Sequence, residues 1–311
     1  SGPFLGGLLT RYLGWRSIFA FLIPMGIISL ILIRTRMKKE WAEAKGESFD
    51  WPGSVVYGLA MAALMYGFSK LPTAGGWIIT GIGLLLMPLF IMREKMAVHP
   101  LFDITLISRN RVFAFSSLAA LIHYAATSAI GFFLSLFLQY IKELGPRDAG
   151  FVLMSWPVTM ALISPLAGKL SDHHNPGVLA SIGMAISTAG LILLCFLTEQ
   201  TSVIFIIAIL LIMGAGFSLF SSPNSNAIMS SVEKRQLGNA SGMLGTMRNV
   251  GQTFSMAIAL MLLALYMGQE KINPANYPQL MSSMKSAFIV FSVLCFAGVF
   301  ASLARNKNLR R

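Results

Sequence analysis

Residues 203–221, VIFIIAILLIMGAGFSLFS, run for five helical turns without a charged side chain. A helix of about 20 apolar residues crosses the hydrocarbon core of a bilayer. Eight further stretches share this character: 16–33, 52–69, 77–92, 112–138, 151–167, 178–197, 247–268 and 286–303. None of the nine contains Asp or Glu. With 55% hydrophobic residues and a mean hydropathy of +0.70, the chain reads as an all-α integral membrane protein. It is expected to hold about nine complete transmembrane helices, with residues 1–9 as the tail of a further, partial one. Ser1 is not a Met and no signal peptide precedes the first span, so the chain is expected to begin inside a longer protein.

The net charge of +12 raises the question of nucleic acid, and its distribution answers it. If residues 34–50 (RTRMKKEWAEAKGESFD) face the cytoplasm, so do 93–111, 168–177, 222–248 and the tail from Arg305. Those segments hold 17 of the 24 Lys and Arg, and the opposite side holds 7. Such asymmetry is the positive-inside bias, and it places the C-terminus in the cytoplasm. No basic patch interleaved with aromatics appears, so no nucleic-acid partner is expected. Cys195 and Cys295 both fall in apolar spans, where they read as small packing residues with no disulfide or metal-ligand spacing. Nothing points to a cofactor. The 19 Met residues read mainly as bilayer or core filling.

Between the spans, 34–50 and 93–111 (REKMAVHPLFDITLISRNR) are the polar connections. Asp50-Trp51-Pro52 opens a span, with Asp as cap and Pro in the first turn. Trp15, Trp51 and Trp77 each stand at a span start, where an indole favours the interface. After Arg111 come six spans, 112–197 and 203–303. Three plus three is the plan of inverted repeats in many carriers, whose substrate site lies near mid-membrane. Residue-level similarity between the triplets is not visible.

The most specific local signal is Ser1-Gly2-Pro3-Phe4-Leu5-Gly6-Gly7. Gly2 and Gly6 share a helix face and admit a close neighbour, while Pro3 removes a backbone donor. Ordinary small-residue packing explains the same spacing. Gly14-Trp15-Arg16 and Ile23-Pro24 follow. Two further motifs are Gly168-Lys169-Leu170-Ser171-Asp172 and Gly238-Asn239-Ala240-Ser241-Gly242, the latter continuing through Thr246-Met247-Arg248-Asn249-Val250-Gly251. Together these resemble drug:proton antiporters of the major facilitator superfamily, in the 14-helix branch called the EmrB/QacA type. The resemblance runs over essentially the whole chain, from the end of helix five to helix fourteen.

That resemblance implies a division. Residues 1–34 would be a remnant of the N-terminal bundle, comprising the end of helix five and helix six. Residues 35–111 would be a cytoplasmic linker with two extra transmembrane helices, and 112–311 the C-terminal six-helix bundle. Helices one to four would be missing from the chain. It implies that Gly2, Pro3, Gly6 and Gly7 serve antiporter-motif packing, and that Gly168 and Asp172 belong to a gating loop. In that loop His173 stands where Arg is usual, and Asn175-Pro176 where Gly and a base are usual. A plain turn or cap is the other reading of Asp172, near the positive end of the next helix.

Proton-driven carriers usually bury a carboxylate, yet all 12 acids here fall in loops or at span ends. His123 is the one clearly ionisable side chain near mid-span. Helical spacing puts Ser116, Ala120, His123, Thr127, Gly131 and Ser135 on one face, with Phe132, Phe133 and Phe137 largely off it. His123 is a proton or substrate candidate, or a neutral packing residue. Thr127, Trp156, Asn249 and Gln252 are further pathway candidates, with helix bridging or a kink as their structural alternatives. Arg248 is expected to snorkel to headgroups or pair with a loop acid.

The expected function is a multi-pass plasma-membrane secondary transporter, proton-coupled and exporting drugs or other amphipathic small molecules. Its partners would be the lipid bilayer, an amphipathic substrate, protons and the missing N-terminal helices. The alternative is a truncated, non-transporting carrier half, acting as a pseudotransporter or needing a partner chain. Neither HExxH, nor paired carboxylates, nor a membrane-embedded Ser/His/Asp set appears, so no enzyme is expected.

Overall fold

The computed structural model describes residues 9, 14, 16–36, 50–97, 104–268, 270 and 272–305, and their regular elements are helices. The first three are α1 (Arg16–Arg36), α2 (Trp51–Ser69) and α3 (Ala74–Met96). A short α4 (Ile104–Arg109) leads into α5 (Arg111–Thr127), α6 (Ile130–Leu136) and a π turn at Phe137–Ile141. Then come α7 (Pro146–Leu153), α8 (Ser155–His173), α9 (Pro176–Leu194), α10 (Val203–Ser230), α11 (Leu237–Met267) and α12 (Tyr277–Ala304). Gly2, Pro3, Gly6 and Gly7 lie outside the described residues.

Eight helical segments of the described residues are long and apolar enough to cross a membrane, against the nine complete spans expected. The difference is α2, which forms over the expected residues 52–69. It falls short on apolarity because Trp51, Pro52, two tyrosines and three glycines dilute its aliphatic residues. Three spans run at least nine residues past where hydropathy placed one of their ends. α10 continues to Ser230, α11 begins at Leu237 and α12 at Tyr277, so the expected connection 222–248 shrinks to a short turn around Lys234–Gln236. Two asparagines there face other helices. Asn224 is buried, and Asn226 Nδ2 donates to Ser171 Oγ at 3.0 Å. Polarity in this segment therefore marks interhelical hydrogen bonding, which hydropathy alone does not separate from solvent exposure.

Two spans are broken. In the expected span 112–138, Thr127 and Ser128 return their hydroxyls to the carbonyls of His123 (2.8 Å) and Tyr124 (2.7 Å). α5 ends there, with the Ser128 N–H still reaching Tyr124 O at 3.2 Å. The Ala129 N–H at the break is met by Ser255 Oγ of α11 at 2.9 Å. Within a membrane such a freed donor needs a protein partner. The second break, at Met154, has a proline cause: the Pro157 ring opposes a continuous helix at the carbonyl four residues back, that of Leu153.

Glycines set the closest helix contacts. α9 and α10 meet backbone to backbone at Gly183 and Gly216, where a Cβ on Gly216 would lie 2.7 Å from Ser187 N. Gly251 brings α11 against α5, since its Cβ would sit 2.6 Å from Leu121 O. Gly214 does the same for α10 and α8 at Trp156 O. Around these crossings Phe133, Phe137, Phe220, Phe288 and Phe291 pack fully buried in one core. Phe133 and Phe137 thus pack against neighbouring helices.

The α2–α3 hairpin meets this bundle along α11. Asp50 caps α2 by accepting from Gly53 N (3.0 Å), and the same oxygen receives Arg93 Nη2 of α3 (3.2 Å). Glu94, expected in the connection 93–111, belongs to the last turn of α3 and is only 3% exposed. α1 exposes its apolar side chains from Phe19 to Ile33.

At the end of α12, Arg305 does not join a solvated tail. It is 2% exposed and donates to Ser116 Oγ (2.8 Å), Asn224 Oδ1 (2.7 Å), Gly177 O (2.7 Å) and Ser302 Oγ (2.9 Å). Burial pulls its pKa down to about 10, so it stays charged at neutral pH. One guanidinium therefore ties α5, α9, α10 and α12 together.

Replacing Gly183 by Ala forces α9 and α10 apart and should destabilise the protein by about 1–3 kcal/mol, the usual range for overpacking. Gly238→Ala, where a Cβ meets nothing within 4 Å, should be neutral. Thermal unfolding of the purified variants compares them, and equal stability would refute the close-contact reading.

Candidate functional site: a cavity between broken helices

The two helix breaks border a cavity of about 620 Å³. From α5–α6 come Tyr124, Thr127, Gly131, Phe132 and Ser135, with Ser128 at the break itself. The α7–α8 side supplies Leu153, Met154, Trp156, Pro157 and Met160. α10 adds Leu210 and Phe217, and α11 adds Arg248 and Gln252. α9 and α12 supply none of these lining residues and stand behind the wall. The size suits a drug-sized ligand, as does an apolar lining with a few polar groups.

Three aromatic rings shape one side. Phe217 meets Trp156 at 6.1 Å between centroids and Tyr124 at 5.6 Å, both edge to face. Such pairs hold each ring at a fixed angle and leave ring faces for a planar ligand. Arg248 sits with its guanidinium 5.5 Å from the centre of the Tyr124 ring, a cation–π distance. It lines the cavity while its side chain stays exposed.

The sequence candidates separate on this map. Thr127, Trp156 and Gln252 line the cavity together. The Thr127 hydroxyl is donated within its helix, so toward a ligand it offers lone pairs. Asn249 faces the other side of α11, in a slot beside α2. His123 is fully buried behind the wall. Its ring lies 4.0 Å from that of Phe220 and 5.2 Å from that of Phe217, and its Nδ1 is 3.9 Å from Cys295 Sγ. Its Nε2 has no hydrogen-bond partner. Phe217 is the partition, touching the cavity on one face and His123 on the other.

In the loop motif, Gly168 faces Ser222 of α10 at ordinary contact distance. Asp172 is exposed in the final turns of α8. The cap of α9 is Asn175, whose side chain accepts from Gly177 N at 2.8 Å. Cys195 and Cys295 are free thiols. Among the described residues no group of three His, Cys, Asp or Glu could hold a metal ion.

Several lining residues escaped the sequence reading: Tyr124, Ser128, Phe132, Met160, Phe217 and Arg248. Arg248 was within reach, because it precedes Gln252 by four residues and so shares its face. Phe132 was not. It neighbours Gly131 in the lining, but an aromatic residue is unremarkable on an apolar helix.

A membrane-spanning helical bundle with a ligand-sized cavity between interrupted helices is the architecture of a solute transporter. The chain belongs to the Major Facilitator Superfamily, whose profile matches residues 1–255 and again 116–309. Among curated proteins it is 28% identical to the riboflavin transporter RibZ of Clostridioides difficile, over 97% of this chain and 66% of that protein. It is likewise 28% identical to the multidrug resistance protein Stp of Mycobacterium tuberculosis, over 86% of the chain and 50% of Stp. Identity to the tetracenomycin C resistance and export protein of Streptomyces glaucescens is 25%, over 90% and 53%. The chain thus spans between about half and two thirds of the length of these relatives. Two of the three are named for transport or export.

Ser255→Ala removes the acceptor for the Ala129 N–H and leaves a buried donor unmet. Stability should fall by about 1–3 kcal/mol, measured by thermal unfolding in detergent. An unchanged melting temperature would mean that the break does not depend on α11.

Proposed function

We propose that this chain supplies the C-terminal side of the substrate path in a proton-coupled exporter of amphipathic small molecules, at the plasma membrane with its C-terminus cytoplasmic. The observation that carries this reading is the cavity between the broken spans, where aromatic rings, Met side chains and a few polar groups converge. Relatives named for riboflavin transport, multidrug resistance and tetracenomycin C export support it. The α2–α3 hairpin preceding six bundle spans supports the 14-helix plan, with divisions at residues 1–34, 35–111 and 112–311. The facing side of the path would come from further N-terminal helices of the same carrier, rocking against this bundle.

Charge sets the substrate preference. Arg248 is the charged residue in the lining, and no carboxylate joins it. This wall therefore favours neutral or anionic amphipaths over cations. A guanidinium hydrogen bond to a ligand anion is worth about 1.5–3 kcal/mol, or roughly ten- to a hundredfold in affinity. Fluorescein and rhodamine 6G share a ring system and differ in charge. Arg248→Gln in the complete carrier should weaken fluorescein transport at least about tenfold and leave rhodamine 6G transport near its original rate. Equal loss for both dyes would sink the charge assignment.

Proton coupling is assigned to His123. Protonation would make both ring nitrogens donors and add a charge, with no acceptor in place at Nε2. That state demands water or a shift of the adjoining Phe217, and Phe217 also forms the cavity wall. In inverted vesicles, His123→Ala should abolish proton-driven dye accumulation while equilibrium dye binding persists. Wild-type accumulation should collapse with an uncoupler. Normal driven transport in the variant would end this assignment.

A further inference from the structure

α2 touches α11 at two places and stands off between them. At one, Tyr57 Oη donates to Thr246 Oγ1 at 2.7 Å. At the other, the Phe68 and Phe254 rings lie 4.6 Å apart, beside Leu64 and Ala257. Tyr57 and Phe68 are eleven residues apart, about 16 Å along the helix. The space left between them is a slot of about 550 Å³. Met61 and Met65 of α2 form one wall, and Asn249, Thr253 and Met256 of α11 form the other. Gln252 lines both this slot and the central cavity, so one side chain is the shared boundary of the two spaces.

We infer that the slot is a second binding site, open to the bilayer, for a membrane-dissolved amphipathic molecule of the kind the central cavity takes. An acyl chain asks only for an apolar trough. This slot instead sets Asn249, Gln252, Thr253 and Tyr57 among methionines within a membrane-spanning segment. Polar side chains at that depth favour a ligand with a hydrogen-bonding edge as well as an apolar body. Met65 is exposed at the mouth and Met repacks around varied shapes, which suits a site that admits its ligand sideways. The slot stands on its own geometry. Only its link to transport, past Gln252, rests on reading the central cavity as the substrate site.

The test counts bound Nile red, a neutral amphipathic dye, per complete carrier in nanodiscs after subtracting protein-free discs. Met65→Trp and Thr253→Trp fill the slot from opposite walls, and Met160→Trp fills the central cavity. The expected result is two dyes in the wild type, one in each slot variant, and one in Met160→Trp. Because the slot variants act from different helices, misfolding of one leaves the other decisive.

A single wild-type dye that survives both slot variants and disappears in Met160→Trp overturns this inference and leaves the central site standing. A dye lost in both slot variants but retained in Met160→Trp supports the slot and removes the central reading. A co-purifying phospholipid lost from both slot variants, with no second dye at any concentration, would overturn the inference in favour of a lipid site. No bound dye in the wild type would overturn both.

Discussion

Apolar side chains gain little by leaving lipid for one another, so the bundle depends on how closely its backbones approach. Gly183 and Gly216 let α9 and α10 touch main chain to main chain, and Gly251 and Gly214 repeat the device against α5 and α8. With no Cβ between them, the helices gain dense packing along their lengths, and the positions of larger residues follow. Phe217 and Phe220 stand one and four residues beyond Gly216. The crossing of α9 and α10 thus sets the aromatic partition between His123 and the cavity.

The cavity is the complement of that packing. α5 ends at Thr127, α7 ends ahead of Pro157, which has no N–H for the main-chain ladder, and the interruptions leave room between facing spans. Satisfying the exposed main chain then becomes a task for neighbours, and Ser255 performs it for Ala129. The interruptions are concentrated in one half of the bundle. At the other end Asn224, Asn226, Ser171 and Arg305 build a hydrogen-bonded layer.

Span existence was legible because a bilayer demands about 20 apolar residues and little else meets that demand. Span ends were not. The polar run from Ser222 to Asn226 has the composition of a loop, and only its neighbours show that it turns inward. Of the cavity, Thr127, Trp156 and Gln252 were found as uncommon side chains on apolar helices. Phe132 and Phe217 were missed because aromatic residues are common in such helices, and pairing across the bundle distinguishes Phe217. His123 was conspicuous in sequence for its chemistry, yet its position depends on two phenylalanines of α10 and on Cys295 of α12. Spacing within α5 carries no information about either.

The Arg305 cluster has a mechanical consequence. Spreading the four helices that it joins would strip a buried cation of several hydrogen bonds at once, each worth about 1.5–3 kcal/mol. The opposite half, with its two interruptions and the π turn at Phe137–Ile141, has no comparable clamp among the described residues. The bundle is therefore elastically graded, stiff where α12 ends and compliant around the cavity. Deformation imposed anywhere along it will be taken up around the cavity.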